Sequence, residues 1–116
     1  MSLSYIYAVK KQVLSGQKSF GELRFYVQLL LERGFLSEAC VVVEDFFGDC
    51  YTVFIEEGSK SLGRYCSIPY SIIDRLLSSC DKVLMTSTAN QGTISRLQIS
   101  RDRLVIAIER YFSVLS

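Results

Sequence analysis

Three consecutive valines, Val41-Val42-Val43, do most to decide what this chain can become, because their surroundings answer to two different periods. β-Branched side chains lose rotamer freedom against the preceding turn of a helix, so a valine run favours an extended strand. Yet Ala39, Cys40, Val43, Phe46 and Phe47 also line up as a helical stripe, with Ser37 placed as a cap. Strand is the favoured reading of residues 38–47 and helix its alternative.

The segments before it are plainly helical. Ile6, Val9 and Val13 recur on one face of residues 4–14, and Ser15-Gly16 stops the run. Residues 20–33 open on Ser19 and Glu22, the S-x-x-E spacing of a capping box in which each side chain satisfies a backbone donor. Leu23, Tyr26, Val27 and Leu30 supply its apolar stripe, and Arg33-Gly34 suits its C-terminus.

After residue 47 the pattern shortens. Gly48-Asp49 signals a turn, and alternation around Tyr51, Val53 and Ile55 predicts a strand over 51–57. Gly58-Ser59 turns again, and 64–68 reads as a short strand. Pro69, the only proline, suits the first position of a helix buried through Ile72, Ile73, Leu76 and Leu77. Residues 82–87 and 93–99 read as hairpin partners around a loop at 89–92. Ser100 is then expected to cap a last helix over 100–115, with Leu104, Val105, Ile108, Phe112 and Leu115 facing inward.

The expected fold is a single α+β domain over residues 1–116, in the order ααβββαββα. Its helices would pack on one face of a small antiparallel or mixed sheet of about five strands. Two resemblances bear on this reading, the first through the helical alternative for 38–47. The stretch LLLERGFLSEACVVVEDFF, residues 29–47, is locally similar to a tetratricopeptide-type helix pair. The order of elements is similar to that of the small dimeric chaperones of type III secretion, which implies a homodimeric, protein-binding role.

Composition points the same way. Apolar residues make up 49% of only 116 residues, more than so small a domain, with its high surface-to-volume ratio, can hide. A partner should cover the excess, most simply a second copy of the chain. The longest apolar runs, Leu29-Leu30-Leu31 and Val41-Val42-Val43, fall far short of the roughly 18–20 residues that span a bilayer. No signal peptide is legible at the N-terminus, so a cytoplasmic location and no membrane partner are expected. Cys40, Cys50, Cys66 and Cys80 lack zinc-knuckle or redox spacing and read as reduced, packed thiols, with a disulfide as the alternative.

Chemistry is harder to find. The chain has no histidine, which removes the commonest general base and imidazole ligand. No catalytic residue, metal site or cofactor is expected. Glu44-Asp45 and Glu56-Glu57 are adjacent acids, and Glu44 could approach Glu56 across a hairpin. The loops at 60–64 and 86–93 are glycine-bearing and polar but lack phosphate-loop spacing.

The leading expectation is a non-enzymatic interaction module, adaptor-like or chaperone-like, that forms a homodimer and binds a second protein. The alternative is a small nucleic-acid-binding protein. Helices 4–14 and 20–33 with a 38–57 hairpin would approximate a winged helix, Arg24 and Gln28 facing the groove. Alternatively, dimerisation would gather Lys10, Lys11, Arg96, Arg101 and Arg103 into one basic face. Arg101 and Arg103 add an oddity, two cations at the positive end of the expected last helix.

Overall fold

The valine run is helical, and with it goes the sheet. The computed structural model describes residues 3–57, 70–86 and 90–115. Among them every element is a helix: α1 (Leu3–Leu14), α2 (Phe20–Glu32), α3 (Leu36–Glu57), α4 (Tyr70–Thr86) and α5 (Gln91–Leu115). The expected α+β architecture is therefore corrected to an all-helical one, and the element order that resembled the secretion chaperones does not exist.

The reason lies in where α3 sits. It packs against all four other helices, so Ala39, Cys40, Val42, Val43, Phe46, Phe47 and Cys50 are all buried and only Val41 of the valines is exposed. A helix covered on most of its circumference loses the narrow apolar stripe that identifies an amphipathic helix. Its apolar run then cannot be told from a buried strand by period alone. The helical penalty of valine is only tenths of a kcal/mol per residue, roughly, whereas burying one valine side chain contributes about 1.5 kcal/mol or more. Packing wins.

The other expected strands fall for local reasons. Gly48-Asp49 is not a turn but the middle of α3, which absorbs 51–57 as well. Residues 82–86 are the last turns of α4, where Thr86 Oγ1 donates to the Lys82 carbonyl at 2.6 Å. Residues 93–99 belong to α5, whose start is fixed by Asn90. Its Oδ1 accepts the Thr93 backbone N–H at 2.8 Å, the geometry of an N-cap. Ser100 is thus a buried residue inside α5, not a cap. The short strand at 64–68, the Gly58-Ser59 turn, the 60–64 loop, Pro69 and Cys66 lie outside the described residues.

The N-terminal helices stand as read, with one correction. Ser19 has extended N-cap backbone but makes no side-chain cap hydrogen bond, and Glu22 pairs with Lys18 at 3.3 Å instead. Both helices close with the paired bonds of a Schellman turn. After α1, Gly16 donates to the Val13 carbonyl and Gln17 to Gln12; after α2, Gly34 donates to Leu31 and Phe35 to Leu30. Gly16 and Gly34 take φ of 83° and 81°, where a Cβ is strained.

Successive helices run antiparallel. Tyr5 meets Tyr26, Phe20 meets Phe46, Cys40 meets Cys80 and Asp81 meets Arg101. Helices α1, α3 and α5 therefore run parallel in one layer, and α2 and α4 form the other. Helix α5 ends the stack, packed on α3 and α4. Among the described residues, no helix is long and apolar enough to cross a membrane.

Candidate functional site

The parallel pair α3–α5 is held inside by aromatic rings and outside by arginines. Phe47 packs on Tyr111 and Phe112 with centroids 5.5 and 6.2 Å apart, and Leu104 is fully buried beneath them in sequence order. Along the solvent edge, Arg96, Arg103 and Arg110 recur every seven residues. Arg96 reaches Glu38 at 3.3 Å and Arg103 reaches Glu44 at 3.1 Å. Arg110 lies over the Tyr51 ring at 5.7 Å. Where Gly48 of α3 faces Ala107 of α5, a groove of about 420 Å³ opens between Asp45, Asp49, Thr52 and Arg110.

Within one chain, the five basic residues singled out in the sequence do not share one face. Lys10 is buried and donates to Asp45 and, at 2.8 Å, to Asp49, which ties α1 to α3. Burial alone would lower its pKa, but the hydrogen bonds to the two carboxylates overcome that and hold it above the ordinary lysine value. Arg101 binds Asp81 of α4 at 2.6 Å, and that bond raises its pKa further. Arg96 and Arg103 serve the α3–α5 edge. Lys11 is exposed and makes no ion pair with the described residues. Because α5 starts at Gln91, Arg101 and Arg103 stand in mid-helix, and the expected conflict with the helix dipole disappears. A wing built on 38–57 is likewise replaced by α3. Glu44 and Glu56 share that helix, twelve residues and about 18 Å apart, so they form no carboxylate pair.

A surface that sequence reading missed lies on the far side of α5. At 100° per residue, Ser95, Ile99, Ile106 and Ser113 fall on one line opposite the buried Leu97, Leu104 and Tyr111. Ile99 and Ile106 are 58% and 56% exposed. Asp102 and Glu109 flank this line on one side, and Arg96, Arg103 and Arg110 flank it on the other. The signal was present as the seven-residue spacing of both isoleucines and arginines, but a hairpin reading of 93–99 cut it in two.

One further cluster is internal. Cys40 and Cys80 bring their sulfurs to 3.6 Å between α3 and α4, with neither side chain exposed. The hydrogen bond between them, together with burial, pushes Cys40 far above the ordinary thiol value. The same bond pulls Cys80 below it, against burial and the Asp81 charge, with the Arg101 charge adding the smallest share.

Residues 29–47 span the end of α2 and the first half of α3, and no family assignment follows from that. No protein-family model, curated protein or solved structure matches this chain.

Proposed function

We propose that this chain is a non-enzymatic protein-interaction module that works as a cytoplasmic homodimer, with the outward face of α5 as the contact. The observation that carries the reading is the exposed pair Ile99 and Ile106, two turns apart on the helix that ends the stack. Leaving two isoleucines in water costs free energy that association recovers.

The flanks say which partner suits. If two α5 helices pack in parallel about a two-fold axis, Ile99 and Ile106 meet their own copies. The acidic flank of each helix, Asp102 and Glu109, then faces the basic flank of the other, Arg96, Arg103 and Arg110. Antiparallel pairing about a two-fold sets acid against acid and arginine against arginine. The face is self-complementary only in the parallel arrangement, so a second copy is the occupant its charge pattern supports. The helix is about 37 Å long, enough for an extended contact.

Light scattering coupled to gel filtration tests this directly. At micromolar concentration a dimer is expected, and Ile99→Glu with Ile106→Glu should give a folded monomer. A monomeric parent chain would overturn the reading. So would a monomer that shifts duplex DNA in a salt-dependent way, which would move the assignment to nucleic-acid binding.

A further inference from the structure

The facing thiols of Cys40 and Cys80 belong to neither the α5 face nor the arginine edge. They lie forty positions apart in sequence on two antiparallel helices, with their sulfurs 3.6 Å apart and shielded from solvent. Packing alone asks for two small apolar side chains there, and alanine or valine supplies that without a reactive sulfur. Here two sulfurs point at one another at 3.6 Å, and the Arg101–Asp81 ion pair acts on Cys80 in opposite senses. Cys50, the other buried thiol on α3, is ten residues from Cys40, about 15 Å along the helix, and cannot take either place.

We infer that Cys40 and Cys80 are a reversible oxidation site, closing into a disulfide that fastens α3 to α4 when a peroxide reaches them. The chemistry balances in two steps. The Cys80 thiolate attacks one oxygen of hydrogen peroxide, the O–O bond breaks, hydroxide leaves, and Cys80 becomes a sulfenic acid. Cys40 then attacks the Cys80 sulfur, the S–O bond breaks, and its thiol proton leaves with the departing hydroxide as water. Two electrons pass from the thiols to the peroxide. Either sulfur can donate the hydrogen bond between them, and with Cys40 as the donor the bond favours the thiolate on Cys80. Because neither sulfur is exposed, the reaction must wait for α4 to move off α3, so oxidation should be slow and should quicken in urea below the unfolding transition.

The site does not depend on the dimer reading and is tested separately. The full-length reduced chain is exposed to hydrogen peroxide, alkylated, unfolded, digested and mapped by mass spectrometry. The expected result is a peptide pair linked through Cys40 and Cys80, two thiols lost to alkylation, and both recovered with dithiothreitol. Closing so long a loop should also raise Tm by roughly 5 °C or more. Cys80→Ala should lose both the linkage and the peroxide-dependent Tm shift, and Cys40→Ala should do the same. Oxidation confined to Cys50 or Cys66, or full alkylation of Cys40 and Cys80 once the chain is unfolded, would overturn the inference.

Discussion

The α1–α2 hairpin and the α3–α5 pair are both helix against helix, yet different forces hold them. In the hairpin, five residues separate the helices, and a Schellman turn at Gly16 sets the reversal. Its contacts are local: Tyr26 donates to Tyr5 at 3.2 Å and their rings meet edge to face at 5.3 Å. In the pair, the partners run parallel and are separated by the whole of α4, so nothing local brings them together. What does so is the burial of Phe47, Leu104 and Tyr111. The arginine edge adds direction more than strength, since Arg96 and Arg103 side chains are 71% and 67% exposed and such pairs contribute about 0–1 kcal/mol each. A parallel pairing must therefore be supported by its core, whereas a short hairpin is supported by its turn.

The most severe way to break this contrast is Phe47→Ala. It removes the ring packed on Tyr111 and Phe112 and opens a cavity in the middle of the α3–α5 interface, so a loss of about 3–5 kcal/mol is expected. Tyr26→Phe, which deletes the hydroxyl bond of the hairpin, should cost about 1 kcal/mol or less, because that bond is exposed. Urea denaturation of both variants checks the ranking. Equal losses would mean that the hairpin, not the pair, limits global stability.

The same contrast explains what could be read from the sequence. Helices α1 and α2 each have one buried face and a glycine stop, so Ile6, Val9 and Val13, then Leu23, Val27 and Leu30, show a clean helical period. Helix α3 is central, and Val42 and Val43 are buried together with Ala39 and Phe46 because neighbours cover several sides at once. That widened the helical stripe, and valine propensity tipped the reading toward strand. In α5 the buried positions Leu97, Ser100, Leu104 and Tyr111 are helical in spacing. However, Asn90 looked like a hairpin loop residue when it is the N-cap, and Leu97-Gln98-Ile99 mimicked strand alternation although Ile99 is exposed. The cysteine pair was illegible for another reason: nothing in a spacing of forty residues says that two antiparallel helices will bring those positions level.

Lys10 joins the two regions and gives the next largest effect. Its ammonium is held above the ordinary value of 10.5, so the folded state binds that proton more tightly than the unfolded chain does. The stabilisation is fully present below pH 10.5 and is lost as the pH rises through the folded-state value. Tyr7, beside it, acts in the same direction, because burial and then the Asp45 charge raise its pKa. Stability from urea melts should thus be nearly level from pH 7 to 10 and fall above that. Lys10→Met should lower stability at neutral pH by about 1–2 kcal/mol, discounted because Asp45 and Asp49 remain partly solvated. It should also flatten the alkaline decline. A variant that declines as steeply as the parent would show that the alkaline loss comes from other groups.

The smallest effect has the sharpest sign. Gly34 turns the chain from α2 into α3 at φ 81°, and an alanine there meets no atom within 4 Å but must adopt left-handed backbone. Gly34→Ala should therefore destabilise by about 1 kcal/mol through the backbone alone. Gly48 sits in the middle of α3 with ordinary helical backbone, and a Cβ there also finds open space within 4 Å. Glycine in a helix interior gives away about 0.5–1 kcal/mol relative to alanine, so Gly48→Ala should stabilise by that amount. Two identical substitutions fourteen residues apart should thus move the urea midpoint in opposite directions. If Gly48→Ala instead lowers it, the chain around residue 48 departs from helix when free in solution, and the parallel pair is held by fewer turns of α3 than the packing of Phe47 requires.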